Sequence, residues 1–130
     1  MPDRLAVVDA SALAALLFAE PKAEQIATRL ETARLVAPTL LRYEIGSVCL
    51  RKIRSHPGQR RSLLEALRLV DEMDLRELPV PVDETVPLAR REKLTVYDAS
   101  YLWLARELAV ELVTLDAQLA RAARRKRRAR

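Results

Sequence analysis

The chain has 130 residues, half of them hydrophobic, which is enough for one domain with one buried core. One cysteine (Cys49), one histidine (His56) and two glycines exclude an intrachain disulfide, a zinc finger and the glycine-rich loops that cradle phosphates. The formal net charge of +5 comes from residues 124–130, because six of these seven residues are basic, whereas the rest of the chain holds 17 basic against 18 acidic residues.

The first half of the chain predicts two buried strands and three helices. Residues 5–8 form a short apolar run with β-branched side chains, which is typical of a buried strand, and this strand ends at Asp9. A helix over 10–19 ends before Pro21, a second helix covers 22–33, and a second strand at 35–37 is closed by Pro38. Thr39 is the predicted N-cap of a third helix, which continues to about residue 54.

The second half continues the alternation of helices and strands. A helix over 59–73 follows a Pro-Gly turn, and residues 75–82 form a third strand, which two prolines place at the edge of a sheet. Asp83 is the predicted cap of a short helix to residue 92, and Thr95 is the predicted cap of a helix to about residue 109. The last strand lies within 111–114 and is followed by Asp116 and a terminal helix that covers 117–123.

Short apolar strands separated by helices predict an α/β fold, with a central parallel sheet flanked by helices. Because the sequence has no repeat or linker, residues 1–123 are predicted to form a single domain and 124–130 a basic C-terminal tail. The tail could contact nucleic-acid phosphates or remain a solvated chain end. The longest apolar run, 12–19, is too short to span a bilayer and no signal peptide precedes it, so we expect a cytoplasmic protein without membrane contact.

Four acidic residues occupy positions that suit a catalytic site. Asp9 and Asp116 each follow a predicted strand, and in open parallel sheets ligands bind beyond the carboxyl ends of the strands. Taken singly, these two are more readily explained as N-caps of the following helices, and Asp98, three residues after Thr95, as part of a capping box. Glu44 has no capping role in mid-helix and lies beside the apolar stripe, where a carboxylate is costly to bury without a partner or a metal.

Taken together, these carboxylates favour a metal site. Like charges in one cleft disfavour simultaneous ionisation, and a divalent cation relieves that repulsion. Ligation by carboxylate oxygens, without histidine or cysteine, points to Mg²⁺ or Mn²⁺ rather than zinc. Ser11 and Thr114, each two residues from one of the strand-end acids, could contact a phosphate or a metal-bound water, or could form local backbone hydrogen bonds.

Four segments of the sequence resemble the motifs of PIN-domain ribonucleases, and in particular those of VapC-type toxins. The segments are residues 7–11 (VVDAS), 38–45 (PTLLRYEI), 94–102 (LTVYDASYL) and 112–116 (LVTLD). Each segment alone is a weak signal. The four occur in the family's order and extend over nearly the whole chain, so together they are specific.

The resemblance implies a metal-dependent endoribonuclease toxin of a toxin–antitoxin system. It places four residues in the catalytic and metal-binding site: Asp9, Glu44, Asp98 and Asp116, with Asp9 and Asp98 as the first expected ligands. Ser11 and Thr114 would support substrate or water. The implied cofactor is Mg²⁺ or Mn²⁺, which would lower the pKa of a bound water and neutralise charge on the scissile phosphate. The implied partners are an RNA substrate, a cognate VapB-like antitoxin and a second copy of the chain in a homodimer.

The helix predicted over 95–109 is apolar on almost all sides, so it should be buried on more than one face. Trp103 lies well around this helix from Asp98. Its side chain could pack beneath a neighbouring helix of the same chain, or it could lie in the homodimer interface, where tryptophan is enriched.

Two other functions remain open on the sequence alone. Phosphotransfer domains also carry a strand-end aspartate, although Asp9-Ala10-Ser11 lacks the Asp-x-Asp of haloacid-dehalogenase-like sites, and no lysine ends the last strand as in response regulators. A PIN-like RNA-binding module without catalysis would keep the fold, but it would not need four acids in the motif positions.

Overall fold

Four parallel strands form one sheet at the centre of the computed structural model, which describes residues 4–125. The strands are β1 (Arg4–Val8), β2 (Ala33–Pro38), β3 (Leu75–Leu78) and β4 (Glu111–Val113). The flanking helices are α1 (Ala10–Leu17), α2 (Ala23–Leu30), α3 (Leu41–Ser55), α4 (Arg60–Arg68), α5 (Val82–Glu92), α6 (Val96–Leu108) and α7 (Ala117–Arg124). The predicted α/β fold, with a parallel central sheet flanked by helices, is confirmed.

Strand β1 lies inside the sheet, whose order is β3-β2-β1-β4. Val7 pairs with Val36 of β2 on one side and with Leu112 of β4 on the other, and its side chain is fully buried. Such burial explains why β1 is a continuous apolar run rather than an alternating one. Because β1 and β4 are parallel neighbours, their carboxyl ends meet at one edge, where the backbone N–H of Asp9 donates to the carbonyl of Val113 over 3.2 Å.

Strand β3 lies at an edge of the sheet, as the prolines predict, but it ends at Leu78 rather than at residue 82. Pro79 has no backbone N–H, so the ladder of hydrogen bonds stops there. Three helices are also shorter than predicted. Helix α2 ends at Leu30 rather than at residue 33, and β2 already begins at Ala33. Helix α1 ends at Leu17, and Ala19 then turns the chain with a left-handed φ of 50°. The predicted helix over 59–73 divides into α4 and a 3-10 turn, Leu69–Glu72.

Two of the predicted helix caps are wrong. Thr39 is not the cap of α3, because the helix starts one residue later from Leu40, and the backbone N–H of Thr39 instead donates to Leu78 beside the sheet. Asp83 is not the cap of α5, because Pro81 occupies the N-cap position and Asp83 lies within the first turn. Thr95 does cap α6, since its hydroxyl accepts the backbone N–H of Asp98 over 3.0 Å.

Helix α6 packs against β1, β2 and β4 and against α5 and α7, so it is buried on more than one face as predicted. Trp103 is half-buried, and its indole N–H donates to Glu84 of α5 over 3.3 Å. This contact corresponds to the alternative in which Trp103 packs beside a helix of its own chain. Within residues 4–125, no helix has the length and apolar character needed to cross a membrane.

The predicted basic tail overlaps the end of the fold. Arg124 is the last residue of α7, and Arg125 donates to the buried carboxylate of Glu92. The other five residues of the tail, 126–130, lie outside the described residues.

Candidate active site

Asp9 lies at the carboxyl end of β1 and is almost completely buried. Its Oδ1 accepts the backbone N–H of Ala12 over 3.0 Å and the hydroxyl of Ser11 over 2.7 Å. Its Oδ2 accepts the hydroxyl of Thr114, which follows β4. Asp9 is therefore the N-cap of α1, and the same hydrogen bonds also hold its carboxylate in one orientation.

The hydroxyls of Ser11 and Thr114 join the ends of β1 and β4. Ser11 Oγ accepts the backbone N–H of Leu115 over 2.9 Å, and Thr114 Oγ1 accepts that of Asp116 over 3.0 Å. Each hydroxyl proton is donated to Asp9, so both side chains act on the site through that carboxylate. Ser11 also lines the cleft described below, whereas Thr114 is buried behind Asp9.

Asp116 caps α7 and also borders the same cleft. Its Oδ1 accepts the backbone N–H of Leu119 over 2.8 Å, while Oδ2 accepts no hydrogen bond from residues 4–125. Both strand-end aspartates therefore cap a helix and also line the cleft, although the sequence presents a capping role and a site role as competing explanations.

Glu44 lies in the first turn of α3, not in mid-helix as predicted, because the helix begins only at Leu41; its side chain is half-buried. Its Oε1 accepts the hydroxyl of Tyr101, a buried residue of α6. Burial, followed by the hydrogen bond to Glu44, raises the pKa of Tyr101 above its usual range, so the phenol keeps its proton and remains a donor. The second oxygen of Glu44 accepts no hydrogen bond from the described residues.

Asp98 lies in the first turn of α6, half-buried beside the cleft. The Thr95 hydroxyl accepts the backbone N–H of Asp98 and also interacts with its carboxylate, which partly opposes the rise in the pKa of Asp98. Within residues 4–125 the backbone N–H of Thr95 does not donate to this carboxylate, so the reciprocal half of a capping box is missing.

All four carboxylates line one cavity of about 740 Å³. Burial raises the pKa of Asp9, and its hydrogen bonds only partly oppose this shift, to which the charge of Asp116 adds. Burial also raises the pKa of Glu44 and of Asp98, and the neighbouring site carboxylates raise both further. The negative charges of this cluster therefore disfavour the ionisation of Asp9, Glu44 and Asp98, and the charge of Asp116 acts on Asp9 and Asp98.

The donor set fits a hard divalent cation in its chemistry. Each of the four carboxylates keeps at least one oxygen lone pair that no group in residues 4–125 occupies, and the mutual repulsion would fall on binding a cation. In the side-chain conformations of the structure, no three His, Cys, Asp or Glu side chains in the described range are close enough to enclose one ion. Enclosing one ion by three or more of these carboxylates would therefore require some of their side chains to change conformation.

Other residues of the cavity are absent from the prediction. Tyr101 is not among the predicted site residues, because its bond to Glu44 joins residues 57 positions apart, which no local pattern reveals. Arg51, by contrast, follows Glu44 by seven residues, a spacing that places both on one face of α3. The i, i+4 series of Tyr43, Ser47 and Arg51 could have been found in the same way.

The whole chain is similar to known proteins of one family. The PIN domain family model matches residues 6–125, and the chain belongs to that family. A curated relative, Ribonuclease VapC3 of Pyrobaculum aerophilum, is 32% identical over 119 residues, which cover 88% of this chain and 91% of the relative. The crystal structure of PAE2754 from Pyrobaculum aerophilum matches with a TM-score of 0.74 and 29% identity, and the match covers 93% of this chain and 86% of that one.

Proposed function

We propose that this protein is a metal-dependent endoribonuclease toxin of the VapC kind. The observation that carries the proposal is the convergence of four coupled carboxylates on one cavity in a chain of the PIN domain family. The name of the similar relative, Ribonuclease VapC3, supports RNA as the substrate. Family membership argues against the alternative of a strand-end phosphotransfer domain.

The proposed metal ligands are Asp9, Glu44, Asp98 and Asp116, with Mg²⁺ or Mn²⁺ as the ion. A divalent cation held there supplies activation of water and neutralisation of negative charge on the scissile phosphate. An all-oxygen donor set of this kind suits these two hard ions better than zinc.

The remaining side chains of the site hold these carboxylates in place. Ser11 and Thr114 fix both oxygens of Asp9, so the carboxylate cannot rotate away from the cleft. Tyr101 donates to one oxygen of Glu44 and leaves the other without a hydrogen bond from the described residues. Because all three donors are neutral hydroxyls, they orient the carboxylates without cancelling the negative charge that binds a cation.

The test is cleavage of total cellular RNA by the purified full chain, with the cut ends mapped. We expect cleavage with Mg²⁺ or Mn²⁺ and none in excess EDTA. Asp98→Asn should lower the rate by more than the ~10–100-fold typical of residues that only support a metal ligand. Asp74→Asn is the matched control, because Asp74 is exposed and does not line the cavity.

Three outcomes would contradict the proposal in different ways. Full activity in EDTA would exclude a metal-dependent reaction. An equal loss of cleavage rate in Asp98→Asn and in the control Asp74→Asn would show that Asp98 is not a metal ligand. RNA binding without metal-stimulated cleavage would instead support the non-catalytic PIN-like module.

The proposed partners are a VapB-like antitoxin and a second copy of the chain. A homodimer needs apolar surface, and Val82 and Val86 of α5 are 63% and 49% exposed. Light scattering should report a dimer, and a chain that stays monomeric at high concentration would refute it. Trp103→Glu separates the two placements of Trp103, since a folded variant that remains dimeric would exclude this residue from the interface.

A further inference from the structure

Two tyrosines on the rim of the cavity are unusually exposed. The chain has five aromatic residues, and only Tyr43 and Tyr97 are exposed, at 83% and 62%. Both line the cavity of the carboxylate cluster. Neither hydroxyl is hydrogen-bonded to another described residue. The two rings therefore do not contribute to the core, and their faces are open to a ligand that enters the site.

Their positions relative to the acids are equivalent. Tyr43 immediately precedes Glu44 on α3, and Tyr97 immediately precedes Asp98 on α6. Successive residues of a helix point about 100° apart, so each helix directs an acid into the cleft and a ring onto its border. The carboxylate cluster thus has an exposed aromatic ring next to each of its two helix-borne members.

The charge of the cavity makes such rings useful to an RNA ligand. Five acids line it: the four cluster members and Glu20, which pairs with Lys52. Arg51 is the one basic residue among the described residues that line the cavity, and it forms no ion pair within residues 4–125. Apart from Arg51 and a bound cation, the described lining of the cavity offers no attraction to phosphates, so contacts that do not depend on charge would add to the binding of RNA. Stacking of bases on aromatic rings is such a contact.

We infer that Tyr43 and Tyr97 each stack against an unpaired nucleobase of a single RNA strand in the cavity, and that Arg51 contacts a phosphate of that strand. The inference rests on the proposed nuclease function and specifies the form of its substrate. Stacking requires a free base face, which a duplex does not offer, so the site selects unpaired RNA. From Tyr43 to Arg51 the helix rises about 12 Å, enough to accompany more than one nucleotide.

The test is binding of an unstructured oligouridine and an oligoadenine, labelled with fluorescein, by full-length protein in the Asp98→Asn background, so that the strand stays intact. Tyr43→Ala and Tyr97→Ala should each weaken binding roughly 5- to 150-fold, as loss of one base–ring stack does. Tyr43→Phe and Tyr97→Phe should bind like the parent, because the ring is retained. Arg51→Ala should lower the slope of log K against log salt by about 0.7, while the tyrosine variants leave that slope unchanged.

Matched controls exclude a general effect of surface substitution. Leu50→Ala removes a 46% exposed apolar side chain from the same helix, and Arg90→Ala removes an exposed arginine from α5; neither residue lines the cavity. Both should bind like the parent. Melting temperatures of all variants establish that the fold is retained.

Several results would overturn the inference. They are unchanged RNA binding by both alanine variants, loss in the phenylalanine variants as well, and binding of an RNA duplex as tightly as the single strand. If alanine at the tyrosines spares RNA binding but converts a dimer to a monomer, the rim is a protein interface instead. If RNA binding requires the two rings but the wild-type protein cleaves no RNA, the result would support this inference and refute the proposed catalysis.

Discussion

Buried or half-buried acidic side chains occur at two places in the molecule, and their pKa values are shifted in opposite directions. Glu92 of α5 is 9% exposed and lies against two arginines, Arg106 of α6 at 3.5 Å and Arg125 at 2.8 Å. Burial alone would raise the pKa of Glu92, but the hydrogen bond from Arg125 and the two positive charges outweigh it and lower the pKa. In the cavity cluster, the pKa values of Asp9, Glu44 and Asp98 are raised.

The two places differ in the partners of their carboxylates. The carboxylate of Glu92 is neutralised by cations, so it joins α5, α6 and the end of α7 without excess charge. The cluster acids are hydrogen-bonded only to hydroxyls and backbone N–H groups, which fix their orientation but leave their charge. A buried carboxylate without a cationic partner is unfavourable for stability, and this is a common sign of a functional site.

The largest effect should come from removing one charge of the cluster. Asp9→Asn keeps an oxygen acceptor for the Ala12 N–H and the Ser11 hydroxyl, yet it removes a proposed metal ligand. It also removes the acceptor of the Thr114 hydroxyl, a loss that the removal of one repelling charge offsets. We expect the rate of RNA cleavage to fall more than ~100-fold with little change in melting temperature. Cleavage at the parental rate by a folded variant would show that the comparison has assigned function to the wrong cluster.

The second prediction concerns the paired acid. Glu92→Gln should lower the free energy of unfolding by about 2–3 kcal/mol, because Arg106, whose side chain is only 13% exposed, loses its charged partner. Urea denaturation measures this change, and RNA cleavage should be unaffected below the melting temperature. If the variant were as stable as the parent, the ion pairs around Glu92 would contribute nothing to the stability of the fold. The proposed difference between a stabilising paired acid and the unpaired acids of the cluster would then be wrong.

The smallest effect is a change of stability with pH, and it has opposite signs at the two places. A raised folded-state pKa, as in Asp98, contributes stability below the unfolded value of about 3.9 that is lost as the pH rises through the folded value. Without metal, Asp98→Asn should therefore be more stable than the parent at neutral pH, by less than about 1 kcal/mol after solvent screening, and the gain should vanish in acid.

For Glu92 the sign is reversed. Its lowered pKa contributes stability above the unfolded value of about 4.3, and this is lost as the pH falls through the folded value. Thermal melts from neutral pH to about 3.5 in EDTA distinguish the two, because the deficit of Glu92→Gln should shrink in acid. If the stability of both variants relative to the parent changed with pH in the same direction, the opposite pKa shifts of Asp98 and Glu92 would be refuted.

Much of this arrangement is predictable from the sequence. Asp9 and Asp116 are predictable as site residues because each follows a strand, and the carboxyl ends of neighbouring parallel strands lie at one edge of the sheet. Glu44 is predictable because it is an acid beside an apolar stripe. The hydroxyl of Thr114 is less predictable, because its bond to Asp9 joins residues 105 positions apart. The failed cap at Asp83 has a local cause instead, because Pro81 occupies the N-cap position of α5.

The hydrogen bonds that cap α1, α6 and α7 also determine the electric field in the cleft. Asp9 and Asp116 precede two helices and Asp98 lies in the first turn of the third, so all three helices begin beside the cluster. The aligned peptide dipoles give each helix start the equivalent of roughly half a positive charge. This fixed field partly offsets the repulsion among the acids before any ion arrives, so the fold itself compensates for part of the negative charge that it gathers in the cleft.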